Sequence, residues 1–168
     1  MPKQLKPETV EAIKTMAARY PKPDGALLNA LRMAEREFGF IDADACEAVA
    51  NALGMSPAHV WGVSSFYTTF RKESDGKYLL YVCSTLPCAM RGSEKLFDHL
   101  SEKLGVKKDE TTPDKLFTLK KVECLAACGT APCMQVNEDY YENLTPELAD
   151  QIIDDLKAGK YPARHVTK

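Results

Sequence analysis

Four cysteines fall in two close pairs, Cys83 with Cys88 in CSTLPC and Cys124 with Cys128 in CLAAC. The spacing reads C-x4-C, a gap of 35 residues, then C-x3-C. Each pair lies where an apolar run, KYLLYVC or LFTLKKVEC, gives way to a turn, so two adjacent strand ends would bring four sulfurs into one pocket. Thiolates are soft donors, and a four-thiolate pocket holds a metal centre. A [2Fe–2S] cluster takes two thiolates on each iron, which matches the division into Cys83/Cys88 and Cys124/Cys128, although a crossed assignment would use the same four residues. Structural zinc takes one tetrahedron of donors, and both spacings also fall within its C-x2–4-C knuckles. Spacing alone leaves both metals open. The C-x-x-C of a thioredoxin-type dithiol is absent, which argues against catalytic thiol exchange.

The remaining candidates read as structural. Cys133 follows the second pair by five residues and is the one rival for a ligand role, but at the start of a strand it reads first as a buried, non-ligating thiol. Cys46 lies on the apolar face of a helix and reads as core. His59, His99 and His165 are scattered outside the cysteine loops and give no histidine-ligated cluster. Asp42/Asp44 and Asp154/Asp155 sit at helix starts or on polar faces, as caps and solvated charges. Arg91, Lys120 and Lys121 are near the cysteines and read first as solvated surface charges, second as groups that raise a cluster's potential. The small and apolar residues between the cysteines, LP and LAA, are expected to keep water from the sulfurs and to offer them backbone N–H groups.

The chain has 168 residues, 45% hydrophobic and 27% charged, with a net charge of −2. That composition supports a folded core and lacks the basic excess of a nucleic-acid binder. No apolar run reaches the roughly 18 residues that cross a bilayer. The start, MPKQLKPETVEAIK, has neither the apolar stretch of a secretory signal nor the character of a transit peptide. Six cysteines could pair as disulfides, but a chain this long and this apolar needs no staples, and a reduced metal site is the better reading.

The elements that must position these residues divide at the polar seam RKESDGK, residues 71–77. Before it, four short amphipathic helices are expected. Pro7 starts the first, with Val10, Ile13, Met16 and Tyr20 at helical spacing, and Asp24 caps the second, with Leu27, Leu31, Ala34 and Phe38 inward. A third runs from about Asp44 to Gly54, and Ser56-Pro57 starts a fourth. After the seam the order β-α-β-β-α is expected. KYLLYVC alternates as a strand, a helix spans about Ser93 to Leu104, LFTLKKVEC and APCMQVN are strands, and Tyr140-Tyr141 begins a fourth. Thr145-Pro146 caps a last helix closed by Gly159. The class is α+β: a helical bundle over 1–74, then an α/β domain over 75–168.

C-x4-C … C-x3-C followed by AP and an apolar strand ending in Asn resembles the 24 kDa subunit of respiratory complex I, the NADH:quinone oxidoreductase. HVWGVSSFYTTF, TTPDKLFTLKKVECLAAC and YYENLTPELADQIIDDLKAGK extend the resemblance over nearly the whole chain. It implies a thioredoxin-like ferredoxin domain with one [2Fe–2S] cluster on Cys83, Cys88, Cys124 and Cys128. It further implies an electron-transfer subunit in a hetero-oligomeric peripheral arm, exchanging single electrons with the FMN of an NADH-binding partner subunit. The location implied is cytoplasmic, at the inner face of the cell membrane through the complex, or the matrix side for a processed organelle protein. No G-x-G-x-x-G or P-loop occurs, so flavin and NADH are expected on the partner. Within HVWGVSSFYTTF, Trp61, Phe66, Tyr67 and Phe70 are candidate partner anchors, Phe66 and Tyr67 foremost, or equally residues that pack the helical bundle onto the ferredoxin domain. The equivalent subunit of an NAD-linked hydrogenase or formate dehydrogenase shares this module and is the alternative. A zinc-stabilised interaction module is the rival of another class. One departure stands out: the family's second loop reads C-L-G-x-C, and this chain has Ala126 at the glycine position. If that residue needs positive φ, alanine there costs about 1 kcal/mol.

Overall fold

The structure is a computed structural model and describes residues 3–161. The chain forms two compact units whose boundary falls between Glu73 and Ser74.

The first unit holds helices α1 (Pro7–Ala17), α2 (Asp24–Phe38), α3 (Ala43–Leu53) and α4 (Pro57–Phe66). Ile13, Leu27, Leu31, Val49 and Val60 meet in its core, each side chain of this kind contributing about 1.5–3 kcal/mol through burial. Gly39 and Gly54 end α2 and α3 at φ 86° and 65°, the left-handed conformation that glycine adopts without strain. Asp42 caps α3, its carboxylate accepting from the Ala45 N–H at 2.8 Å. The expected cap of α2 is corrected: Pro23 occupies the cap position and Asp24 is the first helical residue, because Pro23 already has helical angles. The unit closes at Glu35, which takes hydrogen bonds from the Arg71 N–H at 2.6 Å and the Arg32 guanidinium at 2.7 Å. Cys46 is core as expected, 1% exposed, with its sulfur 3.3 Å from the Ser64 hydroxyl.

The second unit is a five-stranded sheet, β1 (Tyr78–Cys83), β2 (Glu110–Thr111), β3 (Phe117–Val122), β4 (Met134–Val136) and β5 (Asp139–Tyr141), in the order β2-β3-β1-β4-β5. A one-turn helix α5 (Leu86–Met90) and α6 (Ser93–Leu104) connect β1 to β3, and α7 (Pro146–Lys157) ends the unit. Thr145 caps α7 through the Leu148 N–H at 3.3 Å. Leu96, Leu100, Phe117, Leu119, Ile152, Ile153 and Leu156 share one core between sheet and helices. The expected alternation along β1 is not seen: all six residues are buried, because a strand with neighbours on both sides in a covered sheet has little solvent face. The two-residue β2 and the single turn α5 carry no periodic signal, and neither is readable from the sequence.

The crossover through α5 and α6 makes β1 and β3 parallel, Tyr78 facing Phe117 and Cys83 facing Val122. Parallel strands end on the same side of a sheet, so the turns after Cys83 and after Val122 leave together. β4 runs antiparallel to β1, with Val82 opposite Met134, so its first residues start at that same end. One end of the sheet therefore receives three segments of chain, and these carry five of the six cysteines.

Candidate metal centre

At this end all the cysteines are free thiols. The Sγ atoms of Cys83, Cys88 and Cys133 lie within 4.8 Å of one another, and the three residues are 2%, 1% and 0% exposed. Cys124 and Cys128 form a separate pair with Sγ atoms 3.9 Å apart, and both are exposed. Two thiolates on one tetrahedral metal at about 2.3 Å stand about 3.8 Å apart, so the Cys124/Cys128 pair is already at ligand spacing. Among the described residues no histidine or carboxylate joins the buried group.

Local structure explains each position. Cys83 is the last residue of β1, and the Ser84 N–H and hydroxyl both donate to the Val122 carbonyl, at 2.9 and 3.0 Å, closing the strand. Pro87, the second residue of α5, stands in the first turn of the single-turn helix that carries Cys88. Cys133 is held by the sheet: its carbonyl accepts from the Cys83 N–H at 3.2 Å. The segment before it is fixed by Asn143 N–H to the Thr130 carbonyl (2.7 Å) and Leu144 N–H to the Pro132 carbonyl (3.1 Å). Cys124 and Cys128 stand beyond the last paired residue of β3, Cys128 opening a three-residue 3-10 turn to Thr130. Ala126 has φ 61°, so the loop does use the left-handed conformation at the family's glycine position. That conformation points the Ala126 N–H at Cys124 Sγ, 3.3 Å away.

Sulfurs that accept hydrogen bonds hold negative charge more readily. Burial pushes the Cys83 thiol up, but the Thr85 hydroxyl at 3.2 Å and the N–H groups of Thr85 and Leu125 outweigh it and bring the pKa below the ordinary thiol value. The Leu125 contact also ties the second cysteine loop to the first. Cys88 is pushed up by burial, then by the neighbouring Cys83, against a hydrogen bond from the Cys133 N–H. Cys128 is raised by its hydrogen bond to Cys124 and by that sulfur's charge. Cys133 is raised far more, by burial and by the charges of Cys88 and Cys83. Thr85 was missed from the sequence, where only its place two residues past a strand-ending cysteine hinted at a turn that folds back on the sulfur.

The expectation that LP and LAA shield both pairs holds for one. Leu125 and Ala127 pack on the group formed by Cys83, Cys88, Ala131 and Cys133. Cys124 and Cys128 remain exposed, because their loop lies beyond the end of β3. The nearby cations are not simply solvated. Lys120 is 8% exposed and pairs with Asp75 at 3.0 Å, and Lys121 pairs with Glu94, while Arg91 is exposed. His59 and His99 pair with Asp24 (3.0 Å) and Asp150 (2.8 Å), neither joins the thiol group, and His165 lies outside the described residues. Of the aromatic anchors, Phe70 is corrected to core: it is 4% exposed, with the Arg32 guanidinium 4.9 Å over its ring. Trp61, Phe66 and Tyr67 are exposed by 49%, 78% and 41%.

The donor set fits a [2Fe–2S] cluster better than a single zinc. Zinc needs four donors on one tetrahedron, whereas these thiols stand as one buried group of three and one exposed pair, at least two close sulfurs for each of two metals. A small mixed sheet whose parallel strand ends present two thiol pairs defines a ferredoxin, a one-electron carrier built on an iron–sulfur site. The chain belongs to the thioredoxin-like [2Fe-2S] ferredoxin family, whose profile matches residues 13–157. It is 41% identical to an E-type subunit of the NADH-quinone oxidoreductase of Rhizobium meliloti, over 89% of this chain and 89% of that one. It is 43% identical to NADH-quinone oxidoreductase subunit 2 of Thermus thermophilus, over 85% of this chain and 81% of that one. Among solved structures it is similar to a chain of an NAD+-reducing [NiFe]-hydrogenase in the air-oxidised state, with TM-score 0.70 and 22% identity over 79% of this chain. It spans 23% of that hydrogenase chain, and the likeness is one of fold.

Proposed function

We propose that this chain is the [2Fe–2S] electron-transfer subunit of an NADH:quinone oxidoreductase, with Cys83, Cys88, Cys124 and Cys128 as ligands. In this reading it exchanges single electrons with the FMN of an NADH-binding partner subunit. The observation that carries the reading is the meeting of two thiol pairs at the shared end of the parallel strands β1 and β3. The relatives named as NADH-quinone oxidoreductase subunits, matched along most of their length, support this assembly over a hydrogenase or formate dehydrogenase.

When bound, the cluster accepts and releases one electron. The chain's own residues set the conditions for that. Cys83 and Cys88 offer sulfurs shielded from water, and Thr85 and the N–H groups of Thr85, Leu125 and Cys133 donate to them. Cys124 and Cys128 leave the other side of the site open at the surface, where a redox partner can approach. No helix among the described residues is long and apolar enough to cross a membrane, so membrane association in this reading runs through other subunits.

Anaerobic purification with metal and sulfide analysis is the test. About two irons and two labile sulfides per chain are expected, with a visible chromophore that bleaches on reduction. One zinc, colourless and without sulfide, would sink the reading. Co-purification with a flavoprotein carrying FMN tests the assembly, and a chain that never co-purifies with one counts against it.

A further inference from the structure

Three buried thiols stand where two suffice. The buried iron of a [2Fe–2S] site needs two protein sulfurs, yet Cys83, Cys88 and Cys133 all lie within 4.8 Å of one another. Two sulfurs on one iron sit about 3.8 Å apart, so any two of the three reach ligand spacing with shifts of about 1 Å or less. The three also differ in anchorage. Cys83 ends β1, and Cys133 precedes β4 with its carbonyl bonded to the Cys83 N–H at 3.2 Å, so these two are fixed to each other by the sheet. Cys88 is carried by a single five-residue turn. The most rigidly paired sulfurs are thus Cys83 and Cys133.

We propose that Cys133 is a reserve ligand, able to take the place of Cys88 on the buried iron. The proposal rests on the [2Fe–2S] reading of the site. The exchange is balanced without any redox reagent: the Cys133 S–H gives up its proton, one Fe–S bond forms at Cys133 as the one at Cys88 breaks, the released Cys88 thiolate takes up a proton and becomes a thiol, and no electron moves. Cys124 and Cys128 have no such reserve, since no further cysteine joins them among the described residues.

The test compares the full-length wild type with Cys88→Ala, Cys133→Ala and the double variant, each loaded anaerobically with ferrous iron and sulfide. Iron, labile sulfide, visible absorption and the electron paramagnetic resonance of the reduced protein are read. Cys133→Ala is expected to match wild type. Cys88→Ala is expected to keep most of its iron and sulfide with shifted resonance positions, and the double variant to hold roughly tenfold less. A Cys88→Ala chain as empty as the double variant, with a metal-free melting curve like that of wild type, would overturn the proposal. If Cys88→Ala does not fold, Cys88→Ser keeps the side-chain volume. Its spectrum is then expected to remain that of four thiolates and to change when Cys133→Ala is added, and an unchanged spectrum overturns the proposal. A wild type that takes zinc instead of iron and sulfide defeats the functional reading itself, which is a distinguishable failure.

Discussion

Ala126 holds φ 61° in the loop between Cys124 and Cys128, where a Cβ crowds the following carbonyl at about 1–2 kcal/mol. The conformation persists because it aims the Ala126 N–H at Cys124 Sγ, and glycine could adopt it without that crowding. Glycine also loses about 0.5–1 kcal/mol more in backbone entropy on folding, so the net gain from Ala126→Gly is expected to lie between about 0 and 1.5 kcal/mol. A small rise in the melting temperature of the loaded chain would show it, with slower loss of the chromophore in air. Ala126→Val should do the reverse, since a β-branched residue is an outlier at positive φ. The same loop gives a second expectation: Cys124→Ala and Cys128→Ala should each empty the site, because among the described residues no third thiol stands behind that pair. Retention of full iron and sulfide in either variant would show that the ligand set is wrong.

At the scale of elements, the caps and close approaches outside the site carry their own consequences. The Asp42 carboxylate at the start of α3 feels burial, which raises its pKa, but the Lys3 ammonium at 2.8 Å and the Ala45 N–H prevail and bring it below the ordinary value. A depressed carboxylate stabilises the fold above its unfolded pKa and loses that contribution as pH falls through the folded one. Thermal stability is therefore expected to fall as pH drops below about 4, and Asp42→Ala should reduce stability by about 1 kcal/mol at neutral pH. Equal melting temperatures for the variant and wild type at pH 7 would contradict this. Gly76 approaches β3 closely: a Cβ there would meet the Leu116 carbonyl carbon and the Lys115 oxygen at 3.0 Å, and both are backbone. Gly76→Ala should lower stability by about 1–3 kcal/mol in chemical denaturation, because backbone cannot give way as a side chain does.

For the molecule as a whole, the exposed aromatics of the first unit bear on assembly. Phe66 is 78% exposed and stands edge-on to Tyr67, with ring centroids 5.3 Å apart and planes at 79°. A large exposed ring adds little to the chain's own stability and much to a buried contact with another subunit. Phe66→Ala is thus expected to leave the melting temperature of the isolated chain unchanged while weakening co-purification with the flavoprotein partner about tenfold or more. Undiminished co-purification would place the contact elsewhere. Phe70 marks the limit of reading such residues from composition. It belongs to the same aromatic stretch, yet the fold buries it under Arg32.

What was legible in the sequence was local. Proline and glycine at helix ends, the 3.6-residue apolar spacing of α2, α6 and α7, and two cysteine pairs at the ends of apolar runs all act within a few residues of themselves. They determined the order of the main elements and the α+β class, and they named the four candidate sulfurs. Three things depended on segments distant in sequence meeting in space. The parallel pairing of β1 with β3 brought the cysteine turns to one end of the sheet. The antiparallel return of β4 placed Cys133 beside Cys83 and Cys88, a proximity invisible in a gap of 44 residues between Cys88 and Cys133. Solvent exposure, which separates the buried pair from the open one and Phe70 from Phe66, is a property of what packs above a residue. Residue types name the donors, and strand pairing and coverage decide which of them share a metal and which face the solvent.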